Sequence, residues 1–179
     1  MCIYIFSCLE KLDSITKKHS INVANLVKKF SSFLDIPSND MYIGALLHDI
    51  GKLYIPKNII LKKSKLTKEE IDIIKMHPEY GMKFIENTSY KDNEIICNCI
   101  RYHHLKYNGE NSYPESSLIY NNIPLESRII SICDSFDAMT QNRGYNKVIS
   151  AKEAVNRISL EKGKQFDPVL VDEFVKFLS

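Results

Sequence analysis

The chain has 179 residues, 44% hydrophobic and 26% charged, which suits one domain around a single core and excludes a disordered polymer. Its formal charge of +2 lacks the basic excess of a nucleic-acid scaffold, so DNA is not an expected partner. The apolar opening MCIYIFSCL has no basic leader region or small-residue cleavage site, and no window approaches the length of a membrane span, so a cytoplasmic location is expected and no membrane partner.

Helical spacing of apolar residues recurs along the chain and strand-like alternation is scarce, which predicts an all-α domain over 1–179. Residues 1–12 are expected to form an N-terminal helix. Ile21, Ala24, Val27 and Leu34 predict a helix over about Lys17 to Leu34, stopped by Pro37 and the polar Ser38-Asn39-Asp40. A second runs through Met41 to Leu47 and closes at Gly51, read as the residue just past its C-terminus. Thr67-Lys68-Glu69-Glu70 is a capping box opening a helix to about Met76, and Pro78 opens the next, with His77 at the joint. A helix over Asn93 to His104 leads into a polar loop, 108–122. Pro124 starts a long apolar helix, Ser150 to Glu153 reads as a second capping box, and Asp167-Pro168 reads as N-cap and first residue of the last helix. Of the five cysteines, Cys97 and Cys99 have the wrong spacing for a zinc or redox pair. All five, with Cys2, Cys8 and Cys133, read as reduced, core-packed thiols.

The five histidines are His19, His48, His77, His103 and His104. His48 is followed by Asp49, and Asp134 interrupts the apolar run from Ile129. Apolar surroundings imply burial, and a buried carboxylate needs a cation or strong hydrogen bonds. Adjacent residues on a helix diverge by about 100°, so paired ligands reach two ions more readily than one. Imidazole with carboxylate suits iron, manganese or zinc better than magnesium, and a carboxylate such as Asp49 can bridge two ions. Singly, His19 or His77 reads as an ordinary core histidine. Five histidines with two such aspartates read as a metal site.

Leu46-Leu47-His48-Asp49-Ile50-Gly51-Lys52 resembles the signature of HD-domain phosphohydrolases. The surrounding chain is similar to the HD-GYP branch, bacterial phosphodiesterases that hydrolyse cyclic di-GMP. The similarity spans about 13–175 and includes His19-Ser20, Ile55-Pro56, Lys65-Leu66-Thr67, His77-Pro78, His103-His104, Asp134-x-Phe136-Asp137, Arg143-x-Tyr145 and Gln165 to Pro168. It implies an HD-domain helical bundle binding two divalent ions, iron or manganese first and zinc as a third option. His19, His48 and Asp134 would hold one ion, His77, His103 and His104 the other, and Asp49 would bridge. The implied catalytic residues are Asp49 and Lys52. Lys52, Tyr113, Arg143 and Lys147 are the implied substrate contacts, Lys147 beside Asn146 where a second basic contact is common. The implied activity is hydrolysis of a cyclic dinucleotide, cyclic di-GMP first, to linear pGpG or GMP. The rivals are a weakly active binding module and a phosphohydrolase of another nucleotide. Implied partners are a diguanylate cyclase or other signalling domain, with oligomers compatible.

The chain departs from that family between residues 105 and 114. Leu105 replaces a Glu, Asn108 an Asp and Ser112 a Gly, with one extra residue before Tyr113-Pro114. Ile15 stands where some members carry a third-metal Glu, so two ions are expected. If the missing Gly is needed for positive φ, deleting Asn111 with Ser112→Gly and Asn108→Asp should raise turnover about tenfold.

Overall fold

The computed structural model describes residues 7–141 and 148–179. All regular structure among them is helical, apart from an isolated bridge between Lys162 and Phe166. The expected all-α class is the observed one. Of the expected N-terminal helix, residues 7–9 are helical and 1–6 lie outside the described residues.

Helix α1, Ser14–Phe33, begins three residues before the sequence-based start because Asp13 caps it, its carboxylate accepting from Ile15 N and Thr16 N. Its buried stripe runs Thr16, His19, Ser20, Val23, Ala24, Val27, Phe30 and Ser31, the three-to-four spacing of a helix with one face in the core. Helix α2, Asn39–Leu47, packs against α1. The short α3, Lys57–Ile60, then precedes α4, Lys68–Ile74, whose Thr67–Glu70 capping box is complete. Helix α5, His77–Ile85, carries Pro78 in its first turn, and α6, Glu94–Tyr102, is capped by Asn93. The long α7, Leu125–Thr140, lies against α1 and α6. Helices α8, Ala151–Leu160, and α9, Pro168–Leu178, close the core. Phe174 of α9 stands edge-on to Phe30 of α1, with ring centroids 5.0 Å apart, and to Phe136 of α7 at 5.4 Å, geometries that aromatic quadrupoles favour.

Three sequence-based expectations are corrected. Gly51 does not end α2 in a left-handed conformation. It sits inside a 3₁₀ turn, Ile50–Tyr54, and its requirement is space, since a Cβ there would lie 1.9 Å from the His77 carbonyl oxygen. The second capping box is half made: Ser150 Oγ accepts from Glu153 N, but the Glu153 carboxylate turns to Arg157 Nε at 3.0 Å. His77 is the first residue of α5, not a joint before it. The N-cap at Asp167 is as expected, and its other carboxylate oxygen takes the Arg128 guanidinium.

Cys8, Cys99 and Cys133 are buried thiols, as expected, and Cys97 is half-buried. No described helix is long and apolar enough to cross a membrane.

Candidate metal centre

Three of the imidazoles are set in place by the ends of helices. The last carbonyls of an α-helix have no partner within it. His48 follows α2, and its Nδ1 lies 2.7 Å from Ala45 O. His103 follows α6, with Nδ1 2.9 Å from Ile100 O. His77 opens α5 and reaches back 2.8 Å to Ile74 O at the end of α4. Each acceptor is three residues earlier. A carbonyl oxygen only accepts, so Nδ1 carries the proton, and Nε2 of the neutral ring is a lone pair. His19 differs: its Nδ1 lies 2.6 Å from the carboxylate of Asp137, one turn beyond Asp134 on α7.

The Nε2 atoms face one another inside the protein. His77 Nε2 and His103 Nε2 are 3.1 Å apart, a contact that would be repulsive between two lone pairs without a cation to share. Ligand atoms of His77, His103 and His104 lie within 4.8 Å of one another, as do those of His19, His48 and Asp134. Asp49 divides its oxygens between these groups, with Oδ1 3.3 Å from His77 Nε2 and Oδ2 3.5 Å from His48 Nε2. His48 Nε2 is buried without any hydrogen bond. An orphaned buried nitrogen, facing lone pairs and a shared carboxylate fit divalent metal ions, and the cluster could bind them.

The electrostatics agree. Burial lowers the pKa of His48, and burial with three neighbouring imidazoles lowers that of His103 well below the usual histidine value. Burial brings His77 down to about 4 and His104 to about 3. These rings stay neutral, the form a metal requires. Burial opposes ionisation of Asp49, but the Lys52 ammonium and three imidazoles outweigh it and hold the carboxyl well below the usual range. His19 is the exception: burial disfavours its charge, while Asp134 and Asp137 raise its pKa overall.

Lys52 reaches in from the 3₁₀ turn, its Nζ 2.6 Å from Asp49 Oδ2. Tyr113 stacks on His104 with ring centroids 4.4 Å apart. Nine sequence-identified positions thus meet: His19, His48, Asp49, Lys52, His77, His103, His104, Tyr113 and Asp134. Arg143 and Lys147 lie outside the described residues. Asp137 was missed as a site residue. Its signal was present, since Asp134 and Asp137 are three apart on one helix face.

The altered loop closes differently from the expectation. Positive φ falls on Gly109 and on Asn111, at 80° and 53°, and Asn tolerates that region. Ser112 is not among the positive-φ residues, and its hydroxyl accepts from Lys106 N at 2.8 Å. The Asn108 side-chain oxygen accepts from Glu110 N as a local turn, and its backbone N donates to Lys164 O at 2.9 Å, tying the loop to the segment before α9. Leu105 is buried.

The sequence matches the HD domain family over residues 7–170. It is 31% identical over 155 residues to the cyclic di-GMP phosphodiesterase response regulator RpfG of Xanthomonas campestris, covering 87% of this chain and 40% of that protein. A cyclic di-GMP phosphodiesterase of Pseudomonas aeruginosa is 32% identical over 171 residues, covering 94% of this chain and 40% of the relative. The chain therefore spans about 40% of the length of these relatives. The fold is similar to that of an HDG"Y"P protein from Bdellovibrio bacteriovorus, with a TM-score of 0.71 at 19% identity, over 92% of this chain and 52% of that one.

Proposed function

The chain belongs to the HD domain family, and from that premise we propose that it hydrolyses a phosphodiester bond of a cyclic dinucleotide, cyclic di-GMP first, to linear pGpG or GMP. The observation that carries this reading is the pair of inward-facing ligand groups sharing Asp49. His19, His48 and Asp134 would hold one divalent ion, His77, His103 and His104 a second, with Asp49 between them. Mixed imidazole and carboxylate ligation suits iron or manganese, with zinc an option. Such ions, when bound, supply Lewis acidity that activates water and offsets charge on phosphoryl oxygens.

The chain's own residues do the rest. Lys52 holds an ammonium at the edge of the cluster, where it can meet a phosphate oxygen and deliver a proton to the leaving 3′ oxygen. The Tyr113 ring, stacked on His104 and with the Lys75 ammonium 5.8 Å from its centroid, is a proposed substrate contact beside the cluster. Arg143 and Lys147 are proposed phosphate contacts by resemblance alone. The substrate class implies the cytoplasm and a signalling-domain partner such as a diguanylate cyclase.

One feature favours a metal-loaded binding module instead: Leu105, which is buried, stands where the resemblance to the HD-GYP branch implies a Glu. Turnover of cyclic di-GMP, cyclic GMP-AMP and cyclic di-AMP by protein supplied with Mn(II) or Fe(II) separates the readings. Metal-dependent appearance of a linear dinucleotide supports the enzyme. Tight binding without turnover supports the module, and neither outcome with any of the three overturns both.

A further inference from the structure

A cavity of about 380 Å³ adjoins the candidate centre. Lys52 lines it while holding Asp49 at 2.6 Å, so the cavity and the cluster share that side chain as a wall. Ile15, Ile59, Ile60 and Leu66 make it partly apolar, and Lys62, Lys63 and Lys65 bring charge to it. Those charges are not equally available. Lys62 is held by both oxygens of Glu70, at 2.6 and 2.7 Å. Asp13, the acidic residue of the lining, directs its carboxylate into the first turn of α1. Lys63 and Lys65 are exposed and form no ion pair among the described residues.

A cyclic dinucleotide carries two phosphodiesters joined through its riboses, and only one can lie at the metal ligands at a time. The second, with its base, must be held at a short distance. Apolar walls suit a base, and uncommitted ammonium groups suit a phosphate. A smaller cavity of about 200 Å³ touches His19 itself, but it offers Lys18 against Asp137 and no excess of positive charge.

We propose that the lysine-lined cavity is the subsite for the nucleotide that is not being cut, with Lys63 and Lys65 neutralising its phosphate. This rests on the phosphodiesterase reading above.

The test is the double variant Lys63→Ala/Lys65→Ala in the full chain. Both positions lie on an exposed segment between α3 and α4. Kinetics are measured for cyclic di-GMP and for bis(p-nitrophenyl) phosphate, which has no second phosphate, alongside calorimetric binding of a phosphorothioate analogue of cyclic di-GMP. The expected result is a KM for cyclic di-GMP raised about tenfold, kcat within about twofold, analogue binding weakened to match, and unchanged kinetics for the small diester. An unmoved KM, or an equal loss on both substrates, overturns the subsite while leaving the phosphodiesterase reading intact. A wild-type protein that cleaves the small diester but neither binds nor cleaves a cyclic dinucleotide overturns both.

Discussion

His19 differs from its neighbours in what steadies it: a carboxylate, Asp137, holds its Nδ1, whereas backbone carbonyls hold those of His48, His77 and His103. A carboxylate behind a ligating imidazole raises its basicity and fixes its ring. Asp137→Asn should therefore weaken metal affinity about 10- to 100-fold with helical content kept, measured by metal titration and circular dichroism. An unchanged affinity would reduce Asp137 to packing. Asp49→Ala should be more damaging than any other single ligand change, because both groups lose the carboxylate they share. Metal and activity should be lost while the helices persist. Retention of two ions and normal turnover would remove the bridging role. The seven ligands were legible together, because five histidines accompany two aspartates set in apolar runs, and their division into two groups came from the family resemblance. Asp137 escaped because it was read as part of a similar stretch, not as the second acid on the Asp134 face.

At the scale of elements, the close approach of the 3₁₀ turn to α5 sets how near Asp49 comes to His77. A methyl group at Gly51 would meet the His77 carbonyl and the backbone of Gly81, neither of which can swing aside. Gly51→Ala should cost about 1–3 kcal/mol, read by denaturant unfolding, and lower metal affinity as the two segments part. In the loop before Tyr113, Ser112 does not carry the positive φ that would make a glycine necessary there. Asn111 already takes the left-handed position, so Ser112→Gly relieves nothing and removes the bond to Lys106 N. It should destabilise by about 1 kcal/mol and leave turnover unraised. A tenfold gain in cyclic di-GMP turnover from the combined variant, with Asn111 deleted, Ser112→Gly and Asn108→Asp, would restore the sequence-based account. The cap at Thr67 was readable from the Glu three residues on, and that at Asp167 from the proline beside it. Helix α3, with four residues, is too short for periodicity to register. The space required at Gly51 comes from a helix that begins 26 residues later, which no local pattern encodes.

For the whole molecule, α1, the end of α2, the start of α5, the end of α6 and the middle of α7 each deliver one or two donors to the same place. Local periodicity located the helices but could not say that they meet. That information lay in the resemblance of spaced motifs, and the fold shows the meeting directly. Ions binding only the folded form would join these segments and stabilise the protein by mass action. Treatment with a chelator should lower Tm by several degrees and be reversed by Mn(II). An unchanged Tm in protein known to carry metal would contradict that linkage. The most direct test of the centre is elemental analysis of protein purified without chelator. About two ions of iron, manganese or zinc per chain are expected, falling sharply in Asp49→Ala. Fully folded wild-type protein that consistently contains almost none, even after supplementation, would contradict that expectation.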